Sequence, residues 1–588
     1  MDDSSPAAGP ITLLSVRDRF AVAAALRELA ALLELAGENP FKIRAYERGA
    51  RAIEELGDRF EKLARENHLT EVEGIGEAIA QKAVEFVATG SFAALEKARA
   101  ALPPGALELS RLPGLGPKRA RQLYDALDIK SLEELRRAAA EGRIRGLKGF
   151  GEKMEQSLLA AIATHESRRS QMSLADALVE GETLLAHLRS SPAIERAELG
   201  GSLRRRKEIV GDLDVVVAAS DWEAAADHFA RYPAVAKVES RGSTKTTVRL
   251  SSGLQIDLRV VPAEDFATAW HHFTGSKAHH ARLRGLAKAR GLTVSEWGLK
   301  RVEGGEKIPI ASEAALYAAL DLPHVPPELR EDQGEFEAAA AGDRFEDLIT
   351  LGDLRGLVHA HTLYSDGKAT VEQMAATADA LGMKYLTITD HSPRAHYANG
   401  VTVDRLHRQW DEIARVQERV KVRLLRGTES DILADGGLDY PDAILEKLDV
   451  VIASIHTRHS MDEDQMTARL TKAMRLPLFK IWGHALGRLL LEREPIAVRV
   501  DEVLEALAGS RGAVEINGDP RRLDLPPQWA RKARERGLKF VLSVDAHSTQ
   551  AIGAHLPFAV AMARRAGIRK GEVLNALPFE KFRAAVKP

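Results

Sequence analysis

Not one of the 588 residues is cysteine, so disulfides and thiolate metal sites are excluded, and any metal must be held by histidine and carboxylate side chains. No stretch of about 18 apolar residues, the length a membrane-spanning helix needs, occurs anywhere in the chain. Met1 to Pro10 is acidic and rich in serine and proline, without the apolar core of a secretory signal, and a cytoplasmic protein is therefore expected. Charge of one sign is lacking too. Lys and Arg number 83 against 85 Asp and Glu, so global charge does not mark a nucleic-acid partner. What is present is ordinary for a soluble protein, 45% hydrophobic and 29% charged residues, in a chain too long for one core; about three or four domains are expected.

Residues 11 to about 165 read as helix, with apolar spacings of three and four as in Val22 to Leu29. Three turns punctuate them, Gly74-Ile-Gly76, Gly114-Leu-Gly116 and Gly149-Phe-Gly151, at separations of 40 and 35 residues that form a loose repeat. From about 170 to 330 the pattern is mixed, with β-type runs at Asp214–Ala218, Thr246–Leu250 and Leu254–Val261. Residues 328–352 are rich in Glu, Ala and Gly, and the main linker is placed there. Beyond 353, seven apolar runs each end in a polar, ligand-type residue: His359, Asp390-His391, Glu429, His456, His484, Asn517 and Asp545. Their spacing of about 27 to 38 residues suits a strand plus a helix, the pattern of a parallel (βα) barrel whose site lies at the C-terminal strand ends.

Two constellations carry chemistry. In Gly211-Asp212-Leu-Asp214-Val, alternation along a strand puts both carboxylates on one face, and a neighbouring strand carrying Asp257 can complete a triad. Three carboxylates offset the repulsion of two divalent ions about 4 Å apart and leave coordination positions for phosphate oxygens. Just upstream, Gly201 allows close backbone approach to a triphosphate, and Ser202 and Arg205 can donate to it. Alone, an Asp-x-Asp is more often a strand-entry turn. The run from Lys277 to Lys307, eight basic residues against three Glu, would by itself be a solvated helix face.

The run Gly201 to Val217, with Asp257, resembles the palm motif of X-family DNA polymerases, the family of polymerase beta, and the likeness covers roughly residues 12 to 325. It implies metal ligation and catalysis at Asp212, Asp214 and Asp257 with Mg²⁺ or Mn²⁺, and helix-hairpin-helix grip on DNA phosphates at Gly74, Gly76, Gly114, Gly116, Gly149 and Gly151. His272-Phe273-Thr-Gly275-Ser-Lys, followed by His280 and Arg284, resembles the nucleotide-pocket region; His272, Phe273, Gly275 and His280 would border the incoming nucleotide and Arg284 would contact the template. Lys82 corresponds to the Schiff-base lysine of family members with 5′-deoxyribose-phosphate lyase activity, although Ala78 stands where they have a second lysine. Gln255 and His272 also depart from polymerase beta, which has Arg and Tyr at those places.

The barrel offers His359, His361, Asp366, His391, Glu429, His456, His484, Asp545 and His547, six histidines and three carboxylates able to hold two or three ions if Glu429 bridges. This half resembles the PHP domain, and all nine positions of that family's metal set are filled, which implies an active Mn²⁺- or Zn²⁺-dependent 3′–5′ nuclease or phosphoesterase. Asp390, His459 and Asn517 are adjacent and are assigned to orienting ligands or substrate. The expected architecture is thus multidomain: an all-α helix-hairpin-helix region (1–95 lyase-like, 96–168 with two further hairpins), an α+β nucleotidyltransferase palm (169–262), a nucleotide-pocket subdomain (263–327), the linker, and a distorted (βα)7 PHP barrel (353–588). The expected function is gap filling in DNA repair on gapped or nicked duplexes with deoxynucleoside triphosphates, by a monomer that needs no membrane. Two alternatives stand beside it: a DNA-gripping module with vestigial polymerase activity joined to a PHP nuclease, and a small-molecule phosphatase, which would leave the three hairpins without a role.

Overall fold

The computed structural model describes residues 13–587 apart from 57–58, 73, 103–104, 111, 113–114 and 170. Gly114 lies outside the described residues. The chain divides into two compact units, one up to Arg169 and one from Ser170 onward.

The first unit is helical among its described residues. Its longest helix, Leu13–Leu35, packs on Pro40–Glu55, which begins where the Asn39 side chain accepts the Phe41 N–H at 2.9 Å and Pro40 fixes the first turn. One apolar cluster gathers Leu26, Ile53, Phe60, Ile79 and Phe92, and a second gathers Leu123, Leu135, Phe150 and Leu158. Gly74 and Gly149 have φ of +90° and +87°, a backbone region costly for any other residue, and each turn leads into a fresh helix, Glu77–Thr89 and Glu152–Arg169.

In the second unit, β1 (Met172–Ser173) pairs with β3 (Ile209–Val210), and a five-stranded sheet follows. Its order is β2 (Arg196–Leu199), β4 (Asp212–Ala218), β7 (Gln255–Val261), β6 (Lys245–Leu250), β5 (Val235–Arg241). β4 and β7 run parallel, and the other neighbours are antiparallel. β2 and β5 were not among the expected strands. β5 is a solvent-facing edge with six of its seven residues exposed, and β2 buries only Ala197, so neither shows the apolar alternation that betrays a strand. A small antiparallel sheet, β8 (Leu292–Ser295), β9 (Gly298–Arg301) and β10 (Lys307–Ile308), follows the helices Phe266–Thr274 and Lys277–Ala289.

Residues 328–352, expected as a linker, are a packed connection. Arg330 is fully buried, Glu335–Ala340 forms a helix, and Phe336, Phe345, Leu348 and Ile349 are inside, because apolar residues are interspersed through the Glu/Ala/Gly composition. Seven parallel strands then run in sequence order: β11 (Gly356–Leu357), β12 (Tyr385–Ile388), β13 (Arg423–Asp431), β14 (Val450–Ser454), β15 (Lys480–Trp482), β16 (Gly512–Asn517) and β17 (Lys539–Ser543). A bridge between Ala360 and Ala546 brings the two edges together at the C-terminal ends. β12, β14 and β15 are buried along their whole length, as strands covered on both faces must be. Palm and barrel touch within this unit: Glu208 accepts from Arg565 and lies 3.5 Å from Arg488.

Arg330 shares Glu313 with Arg204, at 2.7 and 2.6 Å, in a site where all three side chains are nearly inaccessible. Glu313→Ala would leave two guanidinium groups without a counter-charge, and a loss of about 3–5 kcal/mol in urea unfolding is expected, against less than about 1 kcal/mol for the exposed Glu133→Ala.

Candidate functional site

The register of β4 and β7 sets Asp214 opposite Asp257, and Asp212 shares the face of Asp214 two residues earlier. Burial pushes the Asp214 carboxyl up to about 7, with Asp212 and Asp257 adding like charge, and Asp212 is raised for the same two kinds of reason. Near neutral pH such a carboxyl is only partly ionised unless positive charge is brought to the site. Gly201, at φ +58°, lies against Asp214 so closely that a β-carbon would sit 2.1 Å from its Oδ2, which makes glycine obligatory there. The Ser202 hydroxyl is buried without a partner, as a donor reserved for a ligand would be. Arg205 donates to the Thr274 carbonyl at 2.5 Å and to Glu331 at 2.9 Å, so it also braces the neighbouring loop.

That loop carries Gly275 at φ +69°, after which Ser276 caps helix Lys277–Ala289. His272 and His280 meet edge to face with ring centres 4.4 Å apart, Phe273 lies 4.8 Å from His272, and Arg259 covers the Phe273 ring at 4.7 Å. Both His280 nitrogens are buried and unpartnered, and burial, with His272 and Arg284 nearby, pushes its pKa down to about 3. Arg284 is exposed and borders a groove with Lys288, Lys300 and Arg301. In the first unit, Gly74, Gly76, Gly116, Gly149 and Gly151 all precede or open helices, and the half-buried Lys82 donates to the Ala78 carbonyl at 3.0 Å with its ammonium 5.6 Å from the Tyr46 ring centre.

At the barrel mouth the side chains converge on Glu429. Its Oε2 lies 3.3, 3.6 and 3.0 Å from nitrogens of His359, His361 and His391, and its Oε1 lies 3.2 and 2.7 Å from His456 and His484. Asp545 Oδ1 is 3.5 and 3.3 Å from His359 and His361, and Asp366 Oδ1 is 3.6 and 3.4 Å from His391 and His547. Burial would raise the Glu429 carboxyl, but the surrounding histidines hold it well below the usual range. Both Glu429 oxygens and ring nitrogens of His359, His361, His391, His456 and His484 are buried without a hydrogen-bond partner. Donor atoms on a shared ion at about 2.1 Å stand about 3.0–3.4 Å apart, so these orphaned groups fit divalent metal, and eight of the nine expected positions fall into three overlapping ligand-like groups. His484 joins through Glu429.

Comparison with known proteins agrees with both halves. Family models match at residues 18–92 (helix-hairpin-helix domain), 106–164 (SAM-like helix-hairpin-helix tandem), 269–331 (DNA polymerase beta thumb) and 358–519 (PHP domain). The DNA polymerase/3′-5′ exonuclease PolX of Bacillus subtilis is 35% identical over 96% of this chain and 98% of its own length. The chain belongs to the X-family DNA polymerases that carry a C-terminal PHP domain. A probable phosphatase of Thermoanaerobacter is 30% identical over 37% of this chain and 88% of its own, and rat DNA polymerase lambda is 25% identical over 48% and 52%.

In this X-family chain Lys245, Thr247, Glu515 and Asp431 were not legible beforehand, whereas Asp390, His459 and Asn517 are residues the sequence already points to. Thr247 donates to Asp257 Oδ1 at 2.7 Å and Lys245 pairs with its Oδ2 at 2.6 Å, while Gln255 reaches Oδ1 only at 3.4 Å. In the PHP barrel Glu515 accepts from His359 Nδ1 and from the His484 N–H, both at 2.5 Å, and Asp431 takes His456 Nδ1. Asn517 bonds Glu515 and Asp545 at 3.2 Å. Asp390 is bound by Thr362, Ser365 and Gln409, so it braces the loop after His361. Burial, with Arg493 beside it, pushes His459 down to about 4.

Because folding raises the Asp214 pKa from 3.8 to about 7, the native state binds its proton more tightly than the unfolded chain does. Stability contributed by the protonated form is full below about pH 4 and is lost as pH rises through about 7. In chelator, the wild-type melting temperature is expected to fall between pH 5 and 8 by more than that of Asp214→Asn, and added Mg²⁺ to reverse the difference.

Proposed function

We propose that this X-family polymerase fills short gaps in damaged duplex DNA with its palm and removes nucleotides in the 3′–5′ direction with its PHP barrel. The observation that carries the polymerase reading is the meeting of Asp212, Asp214 and Asp257 on one sheet face beside the unpartnered Ser202 hydroxyl. It weighs against a merely DNA-gripping front half, which has no use for three carboxylates that repel one another. The helical turns and the groove of Arg284, Lys288, Lys300 and Arg301 suit a backbone-directed hold on DNA. The printed name of the Bacillus subtilis relative unites the same two activities.

In the palm, Gly201 lets a triphosphate approach the backbone and Ser202 donates to it. The primer 3′-hydroxyl oxygen bonds to the α-phosphorus, the bond to the bridging oxygen breaks, pyrophosphate leaves, and Asp257, held by Thr247 and Lys245, takes the hydroxyl proton. In the barrel, water adds to the terminal phosphodiester, giving a nucleoside monophosphate and a shortened 3′-hydroxyl end. Glu515 and Asp431 fix the rings of His359 and His456 for ligation. Magnesium or manganese among the palm oxygens, and two or three manganese or zinc ions in the mixed nitrogen and oxygen set, would neutralise phosphate charge and lower the pKa of the attacking hydroxyl or water. A third function, deoxyribose-phosphate lyase activity, rests on the position of Lys82 after the first glycine turn and not on its contacts, since the Tyr46 ring and the Ala78 carbonyl favour its ammonium form; it is read by borohydride trapping that Lys82→Ala abolishes.

The two sites stand on different folds, so they are separable. Asp212→Ala should lower gap filling at least about a hundredfold and leave 3′ nuclease activity, and the double substitution His359→Ala with His361→Ala should do the reverse. Loss of both activities in a folded Asp212→Ala protein contradicts the two-site reading. His272 packs against Phe273 and His280 in the pocket, where its short imidazole leaves the sugar's 2′ side less crowded than a Tyr would. His272→Tyr is expected to raise the preference for dGTP over rGTP opposite template C by about tenfold in single-nucleotide insertion, and an unchanged ratio assigns that selection to the backbone instead.

A further inference from the structure

Tyr397 stands out at the barrel mouth. Its side chain is 65% exposed, although its ring centre lies 6.1 Å from the rings of both His391 and His456. Single exposed apolar side chains are common and by themselves mean nothing. This one is displayed by a rigid turn. Ala395 and Ala398 on either side of it are buried, the Ala398 and Gly400 N–H groups both donate to the Ala395 carbonyl at 3.0 Å, and Asn399 closes the turn at φ +56°. Asn399 Nδ2 donates to the Tyr364 and Ser365 carbonyls at 3.4 and 3.5 Å, and Arg405 holds the Asn399 carbonyl at 2.9 Å and the Tyr364 carbonyl, so the turn is stitched to the loop that follows His361. A β-carbon on Gly400 would meet the Ser392 carbonyl at 2.1 Å, which leaves the turn no slack. On the adjoining loop Leu363 is 58% exposed.

We infer that Tyr397 is the residue on which the base of the departing 3′-terminal nucleotide stacks while its phosphodiester lies at the Glu429 cluster. A flat aromatic face held at a fixed place beside the histidines lies within the span of one nucleotide from a phosphate bound there. Base stacking on an aromatic side chain is tolerant of sequence, as end trimming requires. A small phosphate ester has nothing to set against this ring, so Tyr397 biases the site towards nucleic acid ends. Its phenol ring acts, and its hydroxyl is dispensable. This inference rests on the nuclease reading of the barrel and names the contact that recognises its substrate.

The test crosses the side chain with the base. Wild type, Tyr397→Phe and Tyr397→Ala are given a 5′-labelled oligothymidylate ending either in thymidine or in an abasic nucleotide, with Mn²⁺ present, and removal of the last nucleotide is followed. In wild type and Tyr397→Phe, loss of the terminal base is expected to raise KM about tenfold with kcat little changed; in Tyr397→Ala both substrates should show the raised KM. Gap filling and melting temperature should be those of wild type, since the side chain is mostly solvated. A tenfold response to base removal that survives in Tyr397→Ala overturns the inference, and so does a wild type indifferent to the base. A wild type that releases nothing from either end overturns the nuclease reading beneath it, an outcome recognisably different from the other two.

Discussion

Negative charge gathered out of water is the constraint on which both halves of the working molecule depend. In the palm, Asp212, Asp214 and Asp257 face one another closely enough that burial and mutual repulsion raise the Asp214 carboxyl to about 7. At the barrel mouth Glu429 is fully enclosed, yet stays ionised because five imidazoles crowd it. Neither arrangement is a stable way to fill space: a core built for stability alone would place apolar side chains in both positions. The strained groups make sense as halves of an interaction whose other half is divalent cation and phosphate. The surrounding fold exists to prevent the carboxylates from relaxing, which is why Gly201 has no room for a β-carbon and why His359 and His456 are each held by a second carboxylate.

The two sites meet this constraint with different donor chemistry. The palm presents only carboxylate oxygens, on strands that are exposed at one end, and Lys245 and Thr247 hold Asp257 from the neighbouring strand. An oxygen-only, open site suits hard ions that keep much of their own water and are shared with a triphosphate. The barrel mixes imidazole with carboxylate in a buried cluster, and such a set binds borderline ions more tightly and pre-arranges them without substrate. The surroundings of the two sites are nonetheless joined, since Glu208, three residues after Arg205, is gripped by Arg565 and Arg488 of the barrel, and Arg488 in turn donates to the Arg522 carbonyl at 2.9 Å.

What could be read from the sequence, and what could not, follows from the range of the interactions. Asp212 and Asp214 were legible because alternation along a strand is local, and the barrel ligands because a strand ending in His, Asp or Glu repeats seven times. The family likeness supplied the roles of the pocket residues His272, Phe273, Gly275 and His280, while the donor role of Ser202 follows from its place beside Gly201 and the carboxylates. Lys245 and Thr247 were not legible. Their meeting with Asp257 is set by the antiparallel register of β6 and β7, which no spacing in the chain encodes. Glu515 was passed over because its run, Val514 to Asn517, ends in Asn517, and the inward-facing position two residues earlier reads as ordinary strand until the barrel is closed. The edge strand β5 and the packed connection at 328–352 were missed for opposite reasons: the first is a strand without an apolar face, bulged twice against β6, and the second buries apolar side chains without forming a strand.

The packed connection bears on how the palm and barrel work together. Glu331 braces Arg205, Arg330 shares Glu313 with Arg204, and Arg564 takes Glu328 at 2.8 Å, so the start of the segment between the nucleotide pocket and the first barrel strand is tied to palm and barrel alike, and Arg569 pairs with Asp343 and Asp347 further along it. A loose tether would let the two catalysts sample many separations, and the transfer of a primer end between them would then be governed by linker length. A tied segment fixes the distance instead. Of these ties the Arg330–Glu313 pair is the deeply buried one, and such a pair is costly to break, so the connection is anchored most firmly where it leaves the nucleotide pocket.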